Sequence, residues 1–300
     1  MKITIHDVGH GACAVVTCPN GARYMIDCGK LSNGRWSAST AYAGQYIDRL
    51  IIQNLDEDHV EDLPNVFRSL RLGGVFSNPH VDAMALRLMK PDREKPGDGM
   101  RAGVSAAHGF LLRNGAGSVG PLPFTDDVEV WCYFNRFPVD FTNTNDLSVV
   151  TYFRWRGFAI LFGGDLEEAG WERLLEVRHF RDRLHLVKVF VASHHGRENG
   201  LSGGLFNLMR PDIVVISDEE IRYQTQNTTP WYRNRVRGIF AGTDSLGSHR
   251  YRWVYTTRSD GTVHIDVNAL GGYHVSTAGN RPVRPLARLH SIFHQHQSGS

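Results

Sequence analysis

The first 28 residues alternate between apolar and polar positions in short runs, a pattern typical of β-strands. It predicts three strands, over residues 2–7, 12–17 and 22–26. The turn Pro19-Asn20-Gly21 joins the last two of them. The chain therefore begins as a small meander of strands.

The next stretch combines helical and strand patterns. A helix is predicted over residues 37–49, and the apolar run Leu50-Ile51-Ile52 that follows is typical of a strand. Over residues 60–70, apolar side chains recur three and four positions apart, which predicts a helix with one face in the core. Strands that alternate with helices favour a layered α/β fold.

The second half of the chain continues in this way. Strands are predicted over residues 128–134, 147–155, 158–162, 186–192 and 212–217. Helices are predicted over residues 167–177 and near 201–209, and another begins at Thr229-Pro230, because proline is favourable at the first helical position. A hairpin of residues 251–256 and 262–267 is predicted to close the regular part of the chain.

We expect a single domain over residues 1–270, with an insertion or lid at about 79–123 and an irregular, partly mobile tail over 271–300. The insertion is predicted because its pattern loosens around several prolines and glycines. At 41% hydrophobic residues the composition allows a sizeable core. We see neither a signal peptide nor a run of roughly 20 apolar residues. With four cysteines and no CxxC pair, we expect a soluble, cytoplasmic protein with buried thiols.

Three predicted strands end on residues that can bind metal. The first is followed by the acidic turn Asn54-Leu55-Asp56-Glu57-Asp58-His59, the second by Asp165 and the third by His194-His195. Adjacent carboxylates raise one another's pKa, so a cation is the simplest explanation of the acidic turn. Strand ends on one edge of a sheet converge, and oxygen and imidazole donors suit Zn, Mn or Fe. We expect the protein to bind one or two divalent metal ions, with Zn and Mn preferred.

Charge is unevenly spread along the chain. Residues 222–288 contain ten arginines and three acidic residues, a net charge of +7. Such a flank suits a phosphodiester substrate, and Arg222, Arg233 and Arg250 are candidates for binding it. The alternative is an ordinary solvated face.

Six motifs in order resemble the metallo-β-lactamase fold, in particular the branch that contains the nuclease-like domain of the competence protein ComEC. They are Asp7-Val8-Gly9-His10-Gly11, Tyr24-Met25-Ile26-Asp27-Cys28-Gly29, the acidic turn, Asn145-Asp146-Leu147-Ser148, Gly163-Gly164-Asp165 and Ser193-His194-His195-Gly196. The resemblance implies an αββα sandwich, in which two mixed sheets are flanked by helices and the active site lies at one edge.

The resemblance also implies a set of ligands. The family pattern His-x-(His/Asp)-x-Asp-His corresponds to Asn54, Asp56, Asp58 and His59, with Asp165 as a bridging carboxylate and His194 or His195 as the last ligand. Asn145 stands where other members place a histidine, and Asp146 lies next to it. Asn54 replaces the family's first histidine. Ala12 replaces a family aspartate, and His10 could partly take over the role of that aspartate. Asp27 is a supporting residue.

The leading hypothesis is a metal-dependent hydrolase that cleaves a phosphodiester, with nucleic acid as the expected substrate, through a metal-activated water. Asp58 would position the water, and His195 or its neighbour would contact phosphate or protonate the leaving oxygen. A second hypothesis is a catalytically weak subunit that serves as a binding or regulatory component of an assembly, with the 79–123 insertion as a partner surface. A third is a hydrolase of a small lactam, lactone or thioester.

Overall fold

The computed structural model describes residues 1–32, 34–90, 97–103, 105, 127–221, 224–243 and 247–279. The strands in these ranges are β1 (Lys2–Ile5), β2 (Ala14–Thr17), β3 (Arg23–Ile26), β4 (Tyr46–Ile47), β5 (Arg49–Ile51), β6 (Arg71–Leu72), β7 (Val75–Phe76), β8 (Val128–Tyr133), β9 (Val150–Trp155), β10 (Phe158–Phe162), β11 (Val189–Val191), β12 (Ile213–Ile216), β13 (Ile239–Thr243), β14 (His249–Arg252), β15 (Val254–Thr256), β16 (Val263–Val267) and β17 (Tyr273–Thr277). The α-helices are α1 (Ala38–Ala41), α2 (Glu57–Val60), α3 (Leu63–Ser69), α4 (Ala83–Met89), α5 (Glu168–Leu175), α6 (Arg178–Leu184), α7 (Gly203–Leu208), α8 (Thr229–Arg233) and α9 (Thr257–Asp260). Single 3-10 turns lie at Ser193–Gly196, Glu198–Gly200 and Gln224–Gln226, and residues 98–103 are helical.

Two large mixed sheets are the centre of the molecule. The first has the strand order β17-β16-β1-β2-β3-β5-β7, and the second has the order β15-β12-β11-β10-β9-β8. Strands β3, β5 and β7 are parallel to one another, as are β10, β11, β12 and β15. Parallel neighbours require crossover connections, which are made by helices packed on the sheet faces.

The sheets pack face to face because their strands are apolar on both sides. Val16 and Ile51 of the first sheet share a core with Phe153 of the second. Their immediate neighbours Val15 and Leu50 point the other way and pack under α1 and α3. Side chains alternate between the faces of a strand, so one continuous apolar run serves two layers.

The outer face of the second sheet carries the other helices. Trp171 of α5, Leu205 of α7 and Tyr232 of α8 are buried there against Leu161 and Val214. The predicted αββα sandwich is therefore confirmed, with a metallo-β-lactamase-type arrangement of layers. Among the described residues, no helix is both long enough and apolar enough to cross a membrane. All four cysteines are buried and unpaired, as predicted.

Three predicted elements differ from the structure. The helix predicted over 37–49 ends at Ala41, because Gly44 turns the chain at φ +72° into β4 and β5. The hairpin predicted at 251–267 is wrong. β15 belongs to the second sheet and β16 to the first, and α9 followed by Gly261 at φ +70° carries the chain between them.

The third difference concerns the start of the predicted tail. Residues 273–277 form β17, the edge strand beside β16, because Val275 pairs with Ile265 and packs against the central core. The regular fold therefore extends past residue 270. Residues 280–300 lie outside the described part of the chain, as do residues 91–96, 104 and 106–123 of the predicted insertion.

Candidate metal centre

The carboxyl ends of the parallel strands meet at one edge of the sandwich, which we call the metal edge. Asp27 follows β3, and the acidic turn follows β5. Asp165 follows β10, the His194-His195 pair follows β11, and Ser217 follows β12. Residues far apart in sequence are therefore delivered to one place by topology alone.

Four of the predicted ligands lie together there, and we call them the metal group: Asp58, His59, Asp165 and His195. One donor atom from each lies within 4.8 Å of the others. His59 Nε2 is 2.9 Å from Asp165 Oδ1, and His195 Nε2 is 3.1 Å from Asp58 Oδ2. His59, Asp165 and His195 are almost fully buried, and Asp58 is the member exposed to solvent.

Two outer partners orient the imidazoles. His59 Nδ1 lies 2.8 Å from Asp27 Oδ2, and His195 Nδ1 lies 3.0 Å from the carbonyl oxygen of Ser217. A carboxylate and a carbonyl accept hydrogen bonds, so each Nδ1 carries a hydrogen, and each neutral ring keeps its Nε2 lone pair. The metal group then consists of two imidazole lone pairs and two carboxylates that face one another.

Such a set of acceptors needs a cation. Burial alone would lower the pKa of His59 and of His195, but the surrounding carboxylates, Asp165 foremost, raise both. Burial alone would raise the pKa of Asp58 and of Asp165, but His59 and His195 lower both. Without a metal ion these side chains would therefore bind protons instead, so metal ions and protons compete for the site.

The residues fit a divalent metal ion. His59 Nε2 and Asp165 Oδ1 are buried and lie 2.9 Å apart, but among the residues that the structure describes neither has a hydrogen-bond partner of acceptable geometry. Both atoms are satisfied if they bind a common ion. Two imidazole nitrogens and two carboxylate oxygens suit Zn or Mn, and a separation below 4.8 Å is close to the span of about 4 Å across one coordination sphere.

Strained backbone presents three residues at the metal edge. His194 and His195 have φ of +49° and +52°, and Asp27 has φ of +57°. The left-handed region costs roughly 1–2 kcal/mol for a non-glycine residue, and such outliers are concentrated at functional sites. Gly11 is required for a related reason. A Cβ there would lie 2.6 Å from the carbonyl oxygen of Asp58, because the loop after β1 packs directly on the acidic turn.

The other predicted ligands make contacts with one another, and we call this set the Asp56 network: Asn54, Asp56, Lys90, Asn145 and Glu167. Lys90 Nζ forms an ion pair of 2.7 Å with Asp56 Oδ1. Asn54 accepts from the Asp56 backbone N–H at 2.9 Å and donates to Asn145 Oδ1 at 3.3 Å. Asn145 in turn donates to Glu167 Oε1 at 2.8 Å.

The remaining site residues lie around these two sets. His194 Nδ1 is 3.4 Å from Glu167 Oε1, so His195 is the member of the pair that joins the metal group. His10 Nε2 lies 3.5 Å from Asp58 Oδ2, and its ring packs at 4.8 Å from that of His195. Asp146 accepts from the Gly170 backbone N–H at 2.9 Å and so holds the start of α5.

The predicted arginines lie elsewhere. Arg250 is exposed on β14, and the Arg233 guanidinium stacks at 4.5 Å over Trp253. β12 and β15 run parallel, and Trp253 precedes β15, whereas Ser217 follows β12. This part of the basic flank therefore lies at the end of the sheet opposite the metal edge. Arg222 lies outside the described residues.

Sequence reasoning missed three residues at the metal edge. Lys90 and Thr144 both contact Asp56, and Thr144 Oγ1 donates to it at 3.0 Å. A guanidinium nitrogen of Arg197 lies 3.5 Å from His10 Nε2. Of the three, only Arg197 could have been identified from the sequence, because it immediately follows the Ser193-His194-His195-Gly196 motif. Lys90 had none, since it lies in the stretch of loosened pattern.

The fold and the site together define a metallo-β-lactamase-type domain with a candidate metal centre. No protein family and no curated protein matches the sequence. Among solved structures, a mutant of the β-hydroxylase CmlA is 14% identical, with a TM-score of 0.50 over 88% of this chain and 54% of that one. This chain thus spans about half the length of CmlA.

Two smaller structures match at lower similarity. The metallo-β-lactamase fold protein YhfI from Bacillus subtilis is 10% identical, with a TM-score of 0.43 over 88% of this chain and 100% of that one. A diphosphatase from the PhnP family is 9% identical, with a TM-score of 0.44 over 89% of this chain and 98% of that one. At such identities the similarity concerns the fold alone.

Proposed function

We propose that this protein is a metal-dependent hydrolase that cleaves phosphodiesters, with nucleic acid as its substrate, as in the ComEC-like branch that its motifs resemble. The observation that carries the proposal is the metal group, in which His59 Nε2 and Asp165 Oδ1 are buried without hydrogen-bond partners. A divalent ion bound there would polarise a phosphoryl oxygen and lower the pKa of a water molecule.

The charge around the metal group supports a phosphate substrate. Lys90 contacts Asp56 of the acidic turn, and Arg197 contacts His10, which in turn contacts Asp58. Lysine and arginine are the usual partners of phosphate oxygens. A neutral lactam or lactone has no need of two such cations.

The solvent-facing side of the site provides groups that could reach a substrate. His10 is about one-third exposed and contacts Asp58 from outside. We infer that His10 contacts the leaving oxygen or a phosphate oxygen of the substrate, because its ring is accessible and lies beside the metal group. Asp58 is less exposed than His10 and holds His195 in place.

The test uses protein stripped of metal with a chelator and reloaded with Mn or Zn. Loaded wild-type protein should cleave bis-p-nitrophenyl phosphate and labelled DNA, and single-stranded and duplex DNA should be compared. His59→Ala should lose at least about 100-fold in rate and retain little metal, because an outer partner alone is worth roughly 10- to 100-fold. His185→Ala is the matched control, since His185 is exposed at the end of α6.

A loaded protein that leaves every phosphodiester intact but opens a lactam, lactone or thioester would refute the proposal.

The Asp56 network favours a second candidate function, a catalytically weak subunit of a larger assembly, because Asn54 and Asp56 are already engaged with other side chains. Metal-loaded protein that binds DNA or a protein partner without cleaving any of these substrates would support that candidate.

A further inference from the structure

The acidic turn contains more carboxylates than the metal group uses. Asp56 and Glu57 precede Asp58, and neither belongs to the metal group. Glu57 accepts from the backbone N–H groups of Gly99 and Met100 at 3.1 and 3.3 Å. Asp56 binds Lys90. Each of these two carboxylates therefore holds a piece of the segment inserted after β7.

Lys90 is well placed to act as a fixed cation. It follows the last residue of α4, and its backbone N–H donates to the carbonyl of Leu86 at 2.9 Å. Its side chain is only 23% exposed, as is that of Asp56. An ammonium held in this way loses less side-chain entropy on binding an anion than a lysine that is free in solvent.

The surroundings of Asp56 leave little room for a metal ion. One oxygen faces the ammonium at 2.7 Å, and the other accepts from Thr144 at 3.0 Å. The amide oxygen of Asn54 accepts from the Asp56 backbone, and that of Asn145 accepts from Asn54. A metal ion here would have to displace Lys90 and break these hydrogen bonds.

We propose that the ammonium of Lys90 takes the place of a second metal ion beside the metal group, so that the chain binds one divalent ion and uses Lys90 to hold an anionic oxygen of the substrate. The substrate part of this inference rests on the proposed phosphodiester activity. A lysine ammonium suits the role because it is a compact charge with three donors, of which Asp56 needs one.

The experiment counts bound metal and measures anion binding, so it does not depend on activity. Stripped protein is saturated with Mn, separated from free metal and analysed for Mn per chain. Binding of inorganic phosphate to the loaded protein is measured by calorimetry. Lys90→Met removes the charge and keeps an unbranched side chain, and Lys90→Arg keeps a cation. Lys30→Met is the matched control, because Lys30 forms a similar ion pair of 3.4 Å with Glu61, just after α2.

Wild-type, Lys30→Met and Lys90→Arg proteins should bind one Mn per chain. Lys90→Met should bind a second, weaker Mn and lose about tenfold or more in phosphate affinity, the loss expected when a hydrogen bond to a charged group is removed. Two Mn in the wild type, or a Lys90→Met protein that matches Lys30→Met in both measurements, would overturn the inference.

The two proposals fail in different ways. If Lys90→Met gains an ion but no form of the protein cleaves a phosphodiester, the role of Lys90 as a stand-in cation holds and the proposed function fails. If the wild type cleaves DNA but Lys90→Met keeps one ion and full phosphate affinity, the function holds and this inference fails.

Discussion

The metal group and the Asp56 network lie next to each other on the metal edge, and they differ in which groups face their carboxylates. In the metal group, imidazole nitrogens face the carboxylates of Asp58 and Asp165. In the Asp56 network, amides donate to acceptors and an ammonium faces the carboxylate. The first set is incomplete without a cation, and the second already contains one.

This difference shows that ligand-type residues alone do not make a metal site. Asp56 and Asp58 are two positions apart in the same acidic turn, but only Asp58 faces an imidazole, that of His195, whose Nδ1 is already bonded. The outer partner decides which lone pair points inward. Three substitutions test this contrast, and their expected effects decrease from His6 to Asn54.

The largest effect concerns a buried histidine that has no carboxylate beside it. His6 Nε2 lies 2.8 Å from the hydroxyl of Tyr42, and its ring stacks on Trp36. Burial, with a smaller contribution from His264, lowers the pKa of His6 from 6.5 to about 4. The unfolded chain therefore binds more protons than the folded one between these values, so stability falls as pH falls through that window.

Substitution His6→Gln should remove this dependence. Between pH 7.5 and 4.5 the wild type should lose about 2.5 kcal/mol more free energy of unfolding than the variant, from roughly 1.4 kcal/mol per pKa unit. Urea unfolding at the two pH values measures the difference. Equal losses in both proteins would mean that burial does not lower the pKa of His6 and that its ring binds a proton as readily in the fold as in the unfolded chain.

The second prediction concerns the outer partner of His59. Asp27→Asn keeps an oxygen that can accept from the Gln53 backbone N–H, a bond of 2.7 Å, and asparagine tolerates the left-handed backbone of this position. It removes the charge that fixes the His59 hydrogen on Nδ1. Affinity for Mn or Zn should fall roughly 10- to 100-fold, as measured by competition with a chromophoric chelator. An unchanged affinity would show that Asp27 has only a structural role.

The smallest effect is expected in the Asp56 network. Asn54→Ala removes the hydrogen bonds to Asn145 and to the Asp56 backbone but leaves the metal group intact. Metal content should stay at the wild-type value, and metal affinity should change by less than about threefold, which is about 0.6 kcal/mol, because neither lost hydrogen bond involves a side chain of the metal group. A large loss of metal would place Asn54 among the ligands and would remove the contrast between the two sets.

Local patterns predicted much of the fold and part of the site. Apolar runs correctly predicted strands at β5 and β10. The ligand-type residues that follow these strands, Asp58, His59 and Asp165, lie together, as their positions at strand ends predicted. Pattern alone could not choose between His194 and His195, since the choice depends on two consecutive left-handed residues. Nor could it separate a hairpin from two strands in different sheets, because adjacent strands joined by a turn have the same local signature in both cases.

The layers and the available chemistry follow from local sequence patterns, because periodicity in apolar positions sets which faces are buried, and strand ends deliver their polar residues to one edge. The division of those residues between the metal group and the Asp56 network follows from long-range packing. The ion pair between Asp56 and Lys90, which are 34 positions apart, forms because the segment after β7 packs back on the acidic turn. Arg233 lies at the far end of the sheet, stacked over Trp253, because the parallel pairing with β12 sets the direction of β15. Both are long-range contacts, and no local pattern specifies them.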